Sequence, residues 1–520
     1  MPAIKTRKDH MLNRMRAEFN TKKVYLIVAL SIVCLYAALA VGVSLTKTPE
    51  IDEGWFASPA LNLITTGSMG TTVLEPSGTL TSKLEGINQH TYWVMPLHLL
   101  AQAGWYEVFG FSLFSMRSLS IAWGLVALAS WFLIIKALSG NLRLAMLAFA
   151  FIAFDFIFIM QASLGRMDMM CAALGFAAFA TYLCTRDRGF TLAVFASQSL
   201  VAASLFTHPN GVMAGAGLLF LTLYYDRPRI KWRHALIAAT PYLIGAAAWG
   251  LYIIQSPASF AGQFSDQASG RAPGLTAPLT ALKEEFTRKY FEAFGLASYS
   301  TGVSRMKILV LVVYAAALAV AVCARAIRKH EGFRALLILT AIYFVIETFF
   351  NHKLVFYLIH IIPMFAAVLA VCVNWCWSER RVPRQVIVTC VCAFLLLQIT
   401  GVLYRISQNA YREDYLPAVA FLNQHSGEKS LVIGSAEMAF GVGFERVVDD
   451  IRFGYHSGKT PDFIVMGYHY GGLMKALEER EPAVYESATE RLSHSYKQVY
   501  NHGSYQIYAL DDKAIAQTNY

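Results

Sequence analysis

Two adjacent carboxylates, Asp52 and Glu53, follow the first long apolar stretch of the chain, in the segment IDEGWFASPALNLITTGSMG. Residues 24–44 are apolar without interruption and long enough to cross a bilayer. The pair therefore emerges at a membrane surface, with Trp55 and Phe56 beside it as interfacial anchors. Carboxylates fixed there can take a proton from an acceptor, bind a cation, or simply cap a helix in a solvated loop. Arg166 and Asp168, two residues apart, form a second polar group at the start of an apolar run. They read either as a local ion pair or as the second half of a site, where a nearby acid would change the proton affinity of the first. Candidate partners for an anion are Lys353, with Tyr357 four residues on, and Arg117, His90 and His208. Each also fits a plainer role, as an interface anchor, a satisfied histidine or a helix cap.

The elements that carry these residues are set by composition. Of 520 residues, 56% are hydrophobic and 15% charged, which describes a polytopic membrane protein. The net charge of +10 does not point to nucleic acid, because Lys and Arg collect in short loops between apolar runs. The eight cysteines lie in or beside apolar runs and read as small apolar fillers. Apolar runs fall at 24–44, 92–111, 117–136, 142–161, 168–185, 190–207, 211–225, 234–254, 306–324, 335–350, 354–376 and 385–403. Basic clusters at the N-terminus and around 136–143, 186–188, 227–233, 325–334 and 380–384 belong on one side by the positive-inside rule. That parity holds only if 92–111, the most polar and aromatic run, lies on the outer surface. The expected fold class is thus an all-α membrane protein of about eleven spans with a small C-terminal α/β domain. Its parts are a basic N-terminus at 1–23, a membrane domain at 24–403 and an outer domain at 404–520. The membrane domain includes a first outer loop at 45–116 and a large outer loop at 255–304. Asp52, Glu53, His90, Arg117, Arg166, Asp168, His208, Lys353 and Asn351 all then share the outer face. In the large loop, Leu279, Leu282, Phe286, Tyr290 and Phe294 recur at helical spacing, opposite Lys283, Glu284, Glu285, Arg288 and Lys289, which predicts an amphipathic surface helix.

An ordered set of segments carries a family resemblance. After the Asp-Glu segment come TYWVMPLHLLAQAGWYEVFGFSLFSMRSLSIAWG, LGRMDMMCAALGFAAF, FTHPNGVMAGAGL and NHKLVFYLIHIIPMFA. Together, over residues 24 to 376, they resemble the GT-C glycosyltransferases that use a polyprenyl-phosphate sugar. That group includes protein O-mannosyltransferases and the transferases that add aminoarabinose to lipid A. The resemblance implies inverting transfer of a sugar from a polyprenyl-phosphate donor to a lipid, polysaccharide or protein acceptor at the outer face of a bacterial inner membrane. It implies Asp52 as the base, with Glu53 and Asp168 assisting. Lys353, Arg166, His90, Arg117, Tyr357 and His208 fall to the donor phosphate and substrate. A divalent cation shared by Asp52 and Asp168 is compatible with the carboxylates and is not established by them. The family's Lys-Pro-Pro segment before Tyr-Trp is replaced here by Asn88-Gln89-His90-Thr91. The tail at 404–520 lies outside the resemblance and is expected to be dispensable for donor cleavage. A transporter or flippase would place charges at the midplane and show two related halves. A polysaccharide polymerase or ligase would lack the early Asp-Glu.

Overall fold

Long apolar runs in lipid must satisfy their own backbone, so helices carry this chain. The computed structural model describes residues 2–77, 84–271, 278–297, 300, 302–350 and 352–511; Asn351 and parts of both outer loops lie outside them. The helices of the first half are α1 (Pro2–Thr46), α2 (Ile51–Thr66), α3 (Pro96–Phe109), α4 (Leu113–Ser139), α5 (Leu142–Ala153), α6 (Phe156–Ala162), α7 (Met167–Thr185), α8 (Phe190–Thr207), α9 (Val212–Asp226) and α10 (Trp232–Ile253). There follow α11 (Pro257–Arg271), α12 (Pro278–Glu284), α13 (Phe291–Ala293), α14 (Ile308–Cys323), α15 (Arg325–Lys329), α16 (Glu331–Phe349), α17 (Ile362–Ser378) and α18 (Arg384–Gln408). The tail adds α19 (Leu416–His425), α20 (Ala439–Val442), α21 (Tyr468–Arg480) and α22 (Pro482–His494), with strands β1 (Val432–Ile433), β2 (Val447–Val448), β3 (Phe463–Met466), β4 (Tyr496–His502) and β5 (Tyr505–Leu510).

Eight helices among the described residues are long and apolar enough to cross a membrane, or nine if α5 and α6 count as one span bent by 64°. This falls short of the expected eleven, and the shortfall has particular causes. The run at 211–225 forms α9, 15 residues long, and the run at 354–376 divides into a 3-10 turn and the 17-residue α17. At 1.5 Å per residue neither reaches the ~30 Å of a bilayer core. The run at 142–161 breaks because Asp155 caps α6 through the Phe158 N–H and accepts from Tyr314 Oη and Gln398 Nε2 at 2.6 and 2.9 Å. The polar run at 92–111 yields α3, only 14 residues, packed beside α2 and α4.

The tail sheet runs β2-β1-β3-β5-β4, with β1 parallel to β2 and β3, and β5 antiparallel to β3 and β4. Alternation along β5 buries Tyr505, Ile507 and Ala509 against the domain. The edge beside β2 is covered by the first outer loop: Leu74 pairs with Asp449, whose N–H donates to the Val73 carbonyl at 2.7 Å. This closes an edge that would otherwise expose unpaired backbone. Phe56, Ala57 and Ala60 of α2 share one core with Leu99 of α3 and with Val432, Ala436, Phe463 and Ile507 of the tail. The tail is therefore built onto α2, not hung below the bundle.

Candidate active site

Glu53 and Arg117 lock each other. The guanidinium donates to both Glu53 oxygens, at 2.8 and 2.7 Å, and to the carbonyls of Ser44, Lys47 and Thr48 at 2.7–3.0 Å. Glu53 also accepts from Gly165 N at 2.7 Å and Glu50 N at 2.8 Å, and both side chains are fully buried. The two ions thus join the end of α1, the start of α2, α4 and the turn before α7. Bidentate pairing with every remaining donor and acceptor satisfied is the arrangement in which a buried ion pair is stable. Glu53 has no oxygen, and Arg117 no N–H, left for a substrate, which departs from the expectation for both.

Asp52 stands one residue earlier, in the first turn of α2, where the helix dipole favours an anion. Arg166 Nη1 pairs with Asp52, and Arg166 Nε donates to Asp168 Oδ2 at 2.9 Å. The guanidinium lies over the Phe356 ring, 3.8 Å from its centroid, which fixes its plane. Asp52 is 24% exposed and Asp168 2%. The expected partners Asp52, Arg166 and Asp168 therefore meet as one chain of charges with a net −1. Arg166 occupies the space between the two carboxylates that a divalent cation would need, so these residues do not fit a shared metal.

Asp168 Oδ1 accepts no hydrogen bond among the described residues. Around Asp168 lie three imidazoles, His98, His208 and His360, near enough to act on its charge. His208 Nδ1 accepts from Asn210 N at 3.1 Å, and its ring stands 5.4 Å from that of Tyr357. His98 feels Asp168 and the Gly165 backbone, and burial pulls its imidazole down to about 4, so it is neutral at pH 7. His98, Gln102 and Tyr106 form one buried polar line along α3, and the side chains of Gln102 and Tyr106 make no hydrogen bond among the described residues. His98 and His360 were not picked out as site residues from the sequence. The i, i+4, i+8 spacing of His98, Gln102 and Tyr106 was the available signal.

Lys353 lies elsewhere. Its Nζ contacts Glu285 Oε2 at 2.8 Å and donates to the carbonyls of Glu347 and Thr348 at 3.0 and 2.6 Å. Lys289 completes a buried quartet through Glu285 and Glu347, at 2.9 and 2.6 Å. Lys353 has thus filled its three donor positions and does not face an open space. The quartet also alters the expected surface helix: Tyr290 and Phe294 are buried as expected and Lys283 and Arg288 exposed, but Glu285 and Lys289 point inward and Leu279 is exposed. The reason is Glu347, a carboxylate within the apolar α16 that needs cations from outside its own helix.

Two cavities adjoin opposite ends of α2. One, of 580 Å³, is apolar and lined by Leu63, Leu97, Leu100, Phe206, Trp249 and Tyr252, with His90 at its border. His90 stacks with Tyr92 and meets Tyr252 edge-on, and its Nδ1 is buried without a hydrogen-bond partner among the described residues. The other, of 750 Å³, includes Glu50, Gln161 and Phe356 and the cations Lys47, Lys307 and Arg405.

No family model matches this sequence, and no curated protein sequence matches it. Solved structures do match. ArnT from Cupriavidus metallidurans in the apo state is similar with a TM-score of 0.60 and 14% identity, over 92% of this chain and 97% of that one. The same protein bound to undecaprenyl phosphate gives 0.59 and 13%, over 94% and 97%. AglB from Archaeoglobus fulgidus, an oligosaccharyltransferase in complex with an inhibitory peptide and a dolichol-phosphate, gives 0.52 and 12%, over 93% and 74%. This chain has the fold of these structures. At such identities the likeness is one of architecture, and it extends through the tail, which the sequence resemblance did not reach. Within this fold, the Asp52–Arg166–Asp168 chain sits just after the end of α1, between the first turn of α2 and the start of α7.

Proposed function

We propose that the chain is a membrane glycosyltransferase that moves a sugar from a polyprenyl-phosphate donor to an acceptor, with Asp52 as the base. The observation that carries this reading is the unequal standing of the three carboxylates: Glu53 is saturated by four donors, Asp168 is buried, and Asp52 alone reaches solvent. Inverting displacement needs a base on the sugar face opposite the departing phosphate, and phosphate needs no strong acid to leave. The net −1 of Asp52, Arg166 and Asp168 favours the positive charge that develops on the sugar ring. The apolar groove suits a prenyl chain, with His90 at its border as the phosphate partner in place of the absent lysine. The imidazoles of His98, His208 and His360 with the open Asp168 oxygen suit a polyol, whose hydroxyls both donate and accept. The cationic cavity beside Glu50 is left for the acceptor. This reading moves the phosphate from Lys353 and Arg117, which are held by internal partners, to His90. It sets the active site on the outer face, as the basic-loop parity implies.

The test is single-turnover release of polyprenyl phosphate from a labelled donor by the purified protein in detergent. Wild type should release it and Asp52→Asn should be slower by about 10²-fold or more with unchanged donor affinity, the contribution of a general base. Normal turnover in Asp52→Asn would sink the assignment.

A further inference from the structure

At the end of the bundle away from Asp52 the chain turns sharply twice. After α14, Ala324 is extended (ψ 108°), α15 is one short helix, and His330 is extended again (ψ 120°) before α16. Gly332 lies against the Leu138 carbonyl, at the last turn of α4, whose first turn carries Arg117. Between Arg117 and Leu138, α4 separates this bend from the active site by roughly 30 Å.

The double bend gathers Arg325, Arg328, Lys329 and Arg334 around a hollow of 640 Å³. All four are exposed, and none makes an ion pair among the described residues. Their neighbours at the same end behave otherwise: Arg186 and Arg229 share Asp226 at 2.8 and 2.9 Å. Arg334 is held in place by donating to Tyr224 Oη at 2.7 Å. Membrane topology accounts for positive charge at this end of the molecule. It does not account for four unpaired cations converging on one hollow, which repel one another unless an anion lies between them. The rest of the lining is Val322, Leu337, Ile338 and Ala341. Val322 and Ile338 are 57% and 36% exposed, so this apolar wall is continuous with the outer surface of the bundle, which faces lipid.

We infer that this hollow binds an anionic glycerophospholipid of the leaflet opposite the active site. The phosphate lies among the guanidinium groups, which match its oxygens with paired N–H donors. The first methylenes of an acyl chain run along Val322 and Ile338. The bound lipid braces the α14–α16 bend and with it α16, which carries Glu347 of the buried quartet.

Native mass spectrometry of the full-length protein in detergent tests this, by titrating phosphatidylglycerol against phosphatidylcholine with the same acyl chains. Wild type should prefer phosphatidylglycerol by about tenfold or more, as several basic side chains at a lipid surface provide. The Arg325→Gln/Arg328→Gln/Lys329→Gln variant should lose that preference. Equal binding of the two lipids by wild type, or an unchanged preference in the variant, overturns the proposal. If the triple variant does not purify folded, Ile338→Trp, which fills the apolar wall and leaves the cations, decides. Loss of lipid retention there supports the site, and unchanged retention overturns it. Displacement of the lipid by excess inorganic phosphate would show a plain anion site and would also overturn it.

Discussion

Arg166 is the residue on which the candidate site turns, because it bridges two carboxylates that would otherwise repel. Arg166→Gln should leave Asp52 and Asp168 facing each other without a cation, and one of them should then hold a proton at neutral pH. The expected result is a pH–rate profile moved upward, with single-turnover rates recovering as pH rises. An unshifted profile would mean that Arg166 only anchors α7. Arg166→Lys keeps the charge but cannot reach both acids in the fork geometry, so it should rescue only partly. Lys353 makes the opposite prediction. Lys353→Met removes one cation from a sealed quartet, which leaves two buried carboxylates to share Lys289 and a net charge of −1, at a cost of about 3–5 kcal/mol. Thermal melting should fall sharply, and adding Glu285→Gln should restore much of it. A variant that melts like wild type but binds donor weakly would return Lys353 to the phosphate.

Among the elements, α2 matters most, since it carries Asp52 at one end and separates the two cavities. Its position is set from both sides: by the Glu53–Arg117 lock at its first turn and by the tail domain against its flank. Trp55 Nε1 donates to Asp449 Oδ2 at 2.8 Å, and a Cβ at Gly54 would overlap the Ala436 carbonyl. Gly54→Ala should therefore push the tail off α2. The expected outcome is a loss of turnover of at least about tenfold together with faster proteolysis after residue 408, since small displacements of a catalytic group are costly. Wild-type turnover and proteolysis would mean that the contact is slack.

At the scale of the whole molecule, the shared core of α2, α3 and the tail changes the expectation for truncation. The sequence suggested that donor cleavage survives without 404–520. Removing Val432, Ala436, Phe463 and Ile507 would strip one side of the core that holds α2, so a chain ending at Ser407 should lose both transfer and donor hydrolysis. Full donor hydrolysis by that truncate would restore the accessory view. The same interface responds to pH. Burial pushes the Glu437 carboxyl up to about 8 from 4.5, and that of Asp449 up to about 6 from 3.8. Folding therefore holds protons that the unfolded chain would release. This stability is fully present below about pH 4, falls as pH rises, and is lost above the folded values. Glu437→Gln removes the larger effect while keeping an acceptor for the Ser435 hydroxyl. Wild-type melting should drop between pH 5 and pH 9, as the raised carboxyls of the two groups ionise, and the variant should drop less. Parallel curves would place Glu437 outside the melting unit.

Several features of this protein were fixed by local chemistry that a sequence displays. An apolar run in lipid has no choice but helix, and the tail's short β-branched runs bounded by polar residues become strands. Asp52, Arg166 and Asp168 were legible because each sits at the end of an apolar run, where a charge is out of place unless it is used or paired. Other features were decided only in three dimensions. Whether an ionisable residue is available or satisfied depends on partners far along the chain: Arg117 on Glu53, Lys353 on Glu285, Asp449 on Trp55. The amphipathic pattern at 279–294 pointed all its charges outward, because periodicity carries no information about the carboxylate on α16 that draws Lys289, and Glu285 with it, inward. Span lengths were overcounted for a similar reason, since a run of apolar letters does not reveal that Asp155 bends it or that α9 stops short. Composition fixed the solvent of each segment, and tertiary packing decided which charges were left free to act.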